Sequence, residues 1–229
     1  MKRSVGILLL FLLATLFSCI KDEFTRPVDV SFEFWFKNNL QKEKELVEFS
    51  SGKFVVHEIS FSGYREQAED YFFTSELLEP VIASLENGHV SQLLRFDIPQ
   101  GVYERIELEI TMDGSDTVPG LLMEGVYKSL NQGNIPLVFT YPYHELLKVK
   151  ARSKGGKGTV TLSTDNPATA RVTIDSDFMF LLVNSRMLES ADITETDSGR
   201  VIIISDTDNQ PIFNVISNRL EKSTEVVFY

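Results

Sequence analysis

The stretch "VDVSFEFWF", residues 28–36, alternates without a break. Val28, Val30, Phe32, Phe34 and Phe36 fall on one face, and Asp29, Ser31, Glu33 and Trp35 on the other. Successive side chains of a strand point to opposite faces, so this period of two describes a half-buried β-strand and not an amphipathic helix. "RIELEIT" repeats it, with Ile106, Leu108 and Ile110 set against Arg105, Glu107 and Glu109. "KVKAR" sets Val149 and Ala151 against Lys148, Lys150 and Arg152. "FVVHEISFSGY", "DYFFTSEL", "PLVFTY", "TVTLS" and "RVTI" are rich in β-branched and aromatic residues and read as further strands. The turns "PQG", "MDGSD", "NQGN" and "SKGGKG" punctuate them. Many short strands with such turns predict a mainly β fold. The expected form is an antiparallel sandwich, immunoglobulin-like or transthyretin-like, over residues 28–163.

The remainder, 164–229, changes character. Residues Asp177 to about Ser190 read as a helix capped by Asp175 or Ser176 and apolar nearly all round, hence well buried. "VIIIS" lacks polar alternation and is expected to be a strand buried on both faces. A second helix follows in "DTDNQPIFNVISNRLEKS". Ile212, Ile216 and Leu220 share one side of it, and Pro211 sits in the first turn, where its missing N–H is tolerated. "TEVVFY" closes the chain as a strand. The expectation is a small C-terminal α/β appendage of two helices packed on the sandwich.

The chain has 229 residues, 43% of them hydrophobic, and a formal charge of −11. An acidic balance argues against nucleic acid as a partner, which a basic patch would attract, and serves solubility. Its single cysteine, Cys19, follows the apolar run "VGILLLFLLATLF" and precedes Lys21, Asp22 and Glu23. No second cysteine exists for a disulfide within the chain. Lys2 and Arg3, the apolar run and the small Ser18 together follow the plan of a secretory signal. The run is at the short limit for a bilayer-crossing helix, which takes about 20 residues. Removal of 1–18 moves the formal charge from −11 to −13, because Lys2 and Arg3 leave and no acid does.

The segment "LFSC" resembles the lipobox of bacterial lipoprotein signals, with Leu16 and Ser18 in fitting places and Phe17 bulkier than usual. The resemblance implies that Cys19 becomes the lipidated N-terminus, with 19–27 as tether. Each buried methylene of an acyl chain contributes about 0.8 kcal/mol, so two or three chains hold firmly where one does not. "IKDE", residues 20–23, resembles the short Lys-plus-acidic signal that routes Bacteroidota lipoproteins to the outer face of the outer membrane. "RFDIPQGVYERIELEI", "GVYKSLNQGNIPLVFTY" and "ISDTDNQPIFNVISNRLEKSTEVV" together resemble uncharacterised Bacteroidota surface lipoproteins with a β-sandwich domain of unknown function. This implies a lipid-anchored sandwich at the cell surface and supplies no catalytic residues.

Each residue with possible chemistry also has a plainer role. His57 shares a face with Ile59 and Phe61 and reads as a core or boundary histidine; His89 and His144 read as loop residues. No spacing typical of a zinc site occurs, and no Gly-x-Ser-x-Gly turn. Asp206-Thr207-Asp208-Asn209 starts like a Ca²⁺ loop, yet Pro211 and Ser217 stand where an EF-hand needs glycine and glutamate. Helix capping by Asp208 or Asn209 is the expected role, and Asp113 and Asp116 read as turn residues. No metal or cofactor is expected. Trp35, pointing away from the apolar face of its strand, and Tyr141 and Tyr143, flanking Pro142, are the candidate ligand contacts, since sugars stack on such rings. The expected function is a non-enzymatic surface binding or scaffolding module with a protein or glycan partner. The alternatives are a fimbrillin-like pilus or adhesion subunit, a glycan-binding accessory protein, and a hydrolase using paired carboxylates, whose spacing only three dimensions reveal.

Overall fold

The computed structural model describes residues 24–37, 46–86, 94–114, 118–156, 158–197 and 199–229. The expected signal segment 1–18, Cys19, the expected tether as far as Glu23, His89 and Asp116 lie outside the described residues.

The chain is mainly β. Its first strands are β1 (Pro27–Lys37), β2 (Val47–Arg65), β3 (Tyr71–Ser84), β4 (Arg95–Pro99), β5 (Gly101–Met112), β6 (Leu121–Ser129), β7 (Gly133–Tyr141), β8 (Glu145–Ser153) and β9 (Val160–Leu162). β10 (Ala168–Asp175), β11 (Thr194–Thr196), β12 (Gly199–Ile204) and β13 (Thr224–Phe228) follow. Alternation decides which face turns inward. Val28, Val30, Phe32 and Phe34 of β1 are buried, as are Ile106, Leu108 and Ile110 of β5. Phe34 stacks on Phe54 of β2 with ring centroids 5.6 Å apart.

These strands form one curled, mixed sheet in the order β11-β12-β7-β6-β2-β5-β8-β13-β10-β1-β4, with β3 added to β2 and β9 to β5. This departs from the antiparallel sandwich expected from sequence. β1 pairs parallel to β10, β7 to β12 and β8 to β13. Period-two alternation fixes which face of a strand is buried but not which strand lies beside it, nor in which direction. β8 joins two regions of the sheet, since its first residues pair with β5 and its last with β13. The late strands are woven into the same sheet as the early ones. β10 lies between β1 and β13, and β13 between β10 and β8.

The expected helix over 177–190 is two short helices, α1 (Ser176–Met179) and α2 (Ser185–Glu189). Two caps explain the break. The Asp175 carboxylate accepts from the Phe178 N–H, and the Asn184 side chain accepts from the Met187 N–H, restarting the helix. Leu181 and Leu182, between them, are 65% and 59% exposed, so the apolar residues do not wrap a single buried cylinder. β12 is buried on one face and half-buried on the other, not buried on both. The last helix is α3 (Gln210–Ser217), which buries Ile212, Phe213 and Ile216. After Asn218 and Arg219 it resumes as α4 (Leu220–Ser223), with Leu220 buried. Phe180 and Phe213 pack against Phe139 of β7, tying these helices to the sheet.

Candidate binding surface

The structure brings Tyr141 and Tyr143 together and leaves Trp35 elsewhere. Tyr141 ends β7 with its ring facing inward, stacked on Phe213 of α3 with centroids 5.9 Å apart. Only 7% of it is exposed. Its hydroxyl donates to Glu145 Oε2 at 2.5 Å. Burial first, and the Glu145 carboxylate second, push its ionisation well above the ordinary tyrosine value. Tyr143 comes after Pro142 in the turn between β7 and β8 and is 47% exposed. It meets Tyr141 edge to face at 5.5 Å and donates to Asp206 Oδ2 at 2.9 Å. That hydrogen bond is the main reason its own ionisation is raised.

Asp206 belongs to a loop, 205–209, that is built by its own side chains. Ser205 Oγ accepts from the N–H groups of Thr207 and Asp208 and donates to Asp208 Oδ2. Thr207 Oγ1 also donates to Asp208 Oδ2. Asn209 adopts a left-handed backbone (φ 51°), a conformation asparagine tolerates better than most residues. It precedes α3, but its side chain does not cap that helix. Its Nδ2 donates to the carbonyls of Ile203 and Asp192, and its Oδ1 accepts from the Asp192 N–H. The capping role expected for Asp208 or Asn209 is therefore replaced by ties that hold the loop and its neighbours.

A cleft of about 460 Å³ opens beside this loop, lined among others by Thr140, Pro142, Ile203, Asp206 and Asp208. Hydroxyls, carboxylates and the neighbouring Tyr143 ring give it donors, acceptors and one aromatic edge, the groups that meet a polyol or a sugar. Tyr141 and Glu145 face a second, smaller cleft of about 280 Å³ with Asn218 and Lys222. Among the described residues no group of three or more His, Cys, Asp or Glu side chains could hold a metal ion.

Trp35 is half-buried on the outward face of β1. The Arg171 guanidinium lies 4.9 Å over its ring and 4.7 Å from the Tyr229 ring, and Lys154 Nζ is 4.8 Å from Tyr229. Glu33 Oε2 accepts from Trp35 Nε1 and from Arg171 Nη2. A cation thus covers the face that a sugar would use. Nothing in the local sequence around Arg171 signalled this stack, because its members come from separate strands. His57 sits at a bulge in β2, between Val56 and Glu58, with its Nε2 4.0 Å from Glu76 Oε1. That bulge takes His57 off the inward row of Ile59 and Phe61. His144 is exposed, 3.6 Å from Asp113.

Comparison with known proteins finds no matching family model, no matching curated protein and no matching solved structure.

Proposed function

We propose that this chain is a lipid-anchored protein of the outer membrane, exposed at the cell surface, whose folded body is a non-enzymatic binding or scaffolding module. The observation that carries this reading is the pairing of Cys19, at the end of an apolar leader, with a body that begins almost at once. Four residues separate Cys19 from Phe24. The Phe24 carbonyl accepts from Arg65 Nη1 at 2.8 Å, and the Arg26 carbonyl accepts from the Gln100 N–H at 2.8 Å. Five Cα steps reach at most about 18 Å, so the end of the body that carries Phe24 stands close to the bilayer.

The experiment is detergent-phase partitioning with intact mass measurement. The native protein should enter the detergent phase and carry acyl mass on Cys19, and Cys19→Ala should stay in the aqueous phase. Aqueous partitioning of the native protein, or a mass without acyl groups, overturns the anchor.

A glycan-binding role is favoured by one feature, the exposed Tyr143 ring beside the carboxylate-lined cleft. Tyr143→Ala should then abolish any glycan-array signal while Trp35→Ala leaves it. The pilus-subunit reading gains no support from β1, whose edges are bonded to β10 on one side and β4 on the other.

A further inference from the structure

We infer that the seam between β3 and β4 is a docking groove for an extended, basic segment of another protein, which adds to the sheet as a strand. The curled wall runs from β4 through β1, β10, β13, β8, β5 and β2 to β3. Among the described residues no backbone ladder joins its two ends. Above the seam the wall is continuous, because the Leu85 N–H donates to the Gly52 carbonyl and the Leu85 carbonyl accepts from the Phe36 N–H. At the other end a side chain bridges the gap. The Tyr71 hydroxyl donates to the Asp97 carbonyl at 3.4 Å, so an edge acceptor of β4 is met by a ring and not by a strand.

Burial along the seam has the signature of a missing neighbour. Ile59 and Phe61 of β2 and Val28 and Val30 of β1 point inward and are fully buried. Their partners across each ladder share the same face, since Phe61 pairs with Phe73, Ile59 with Ser75 and Val30 with Phe96. Yet Tyr71, Phe73, Ser75 and Leu77 of β3 and Phe96 of β4 are only half-buried. The Phe73 and Phe96 rings meet under the gap with centroids 5.0 Å apart and form an apolar floor. A strand laid there would cover this row with alternate side chains while its backbone paired with the exposed edges. β4 sets the length at five residues, about 17 Å of strand.

Charge selects the occupant. Glu69, Asp70, Glu76, Glu79 and Asp97 are exposed along the two rims, and Arg95 on β4 is already 3.3 Å from Asp29. A second copy of this chain would bring the same acids against themselves. A segment with apolar residues facing in and Lys or Arg facing out would meet them with opposite charge. This names the partner of the binding module proposed above without drawing on the lipid anchor. Cys19→Ala leaves the docking unchanged, and failure of docking leaves the anchor standing.

The test uses the full chain in detergent solution and three synthetic peptides: alternating valine and lysine, the same composition with the order shuffled, and alternating valine and glutamate. Hydrogen exchange should show protection confined to 71–77 and 95–99, with the alternating valine–lysine peptide alone. In the double variant Glu76→Lys, Glu79→Lys, affinity for that peptide should fall about tenfold and the valine–glutamate peptide should gain. Both substitutions are at exposed positions, and an unchanged thermal melt confirms that the variant is folded. Absence of protection, equal protection by the shuffled peptide, protection elsewhere in the sheet, or affinities indifferent to the charge reversal would overturn the inference. So would concentration-dependent protection of the seam without peptide, which would mark it as a contact between copies.

Discussion

Glu189 shows how one side chain can hold two distant parts of a chain. It ends α2, and its Oε1 accepts from Tyr127 Oη and Ser129 Oγ, each at 2.7 Å, and from the Leu130 N–H at 3.0 Å. These donors hold its carboxyl below the usual value, with Ser129 the largest cause and Tyr127 next. In turn, burial first and Glu189 second push the Tyr127 phenol up to about 12. A carboxyl with a lowered pKa in the folded state stabilises that state above its ordinary pKa of 4.5 and loses the contribution as pH falls through the lowered value. Glu189→Gln should therefore melt a few degrees lower than the native chain near pH 7. That gap should close progressively below pH 4.5, as thermal melts across pH will show. Glu189 has no marking in the sequence that separates it from the other acids, because its donors, at Tyr127, Ser129, Leu130 and Asn131, lie about 60 residues away. Asn209 is a similar case. Its place before a helix suggested a cap, and its partners, Asp192 and Ile203, became visible only once the chain had folded back.

At the scale of elements, bulges and caps account for most departures from the simple pattern. β2 runs for 19 residues and shifts register against β6 between Phe49 and Ser51. Opposite that shift lies Gly125, where a Cβ would stand 2.4 Å from the Glu48 carbonyl oxygen and 2.9 Å from Phe49 Cα. Both are backbone atoms, which cannot swing aside as a side-chain tip can. Gly125→Ala should cost about 1–3 kcal/mol, the range for forcing an extra carbon into a packed site, measurable as a lower denaturant midpoint. The strands themselves were legible. Val28 to Phe34, Ile106 to Ile110 and Val149 to Ala151 sit on the faces their alternation gives them. The single helix expected over 177–190 is two short ones, because apolar content hides caps. Asp175 was visible as a cap, whereas Asn184, a second cap inside the same apolar run, divides it.

Across the whole molecule, the late strands bind the early ones. β13 bonds to β8 on one side and β10 on the other, and β12 bonds to β7. A fragment ending at residue 163 would lose β10, β12 and β13 and uncover both β1 and β8. Residues 24–163 expressed alone should show no cooperative unfolding transition, whereas the full chain should melt in one step across probes from both regions. A cooperative melt of the fragment would mean that the early strands hold a core without the later ones. Of the candidate contacts, Tyr141 and Tyr143 were legible as a pair from their spacing around Pro142. Phe213, which stacks on Tyr141, and Arg171, which covers Trp35, were not.

The amino-acid sequence alone determined that this chain is mainly β and which side of β1, β5 and β8 meets the core, because both follow from the alternation of neighbouring residues. It also determined that the only thiol lies between an apolar run and a charged segment. The tertiary structure decided the parallel pairings, the division of the first helix, the cover over Trp35 and the half-exposed seam between β3 and β4. All but the helix division, which two local caps make, depend on residues tens to more than a hundred positions apart. Local periodicity carries no information about which of several compatible strands becomes a neighbour; packing of the whole chain does.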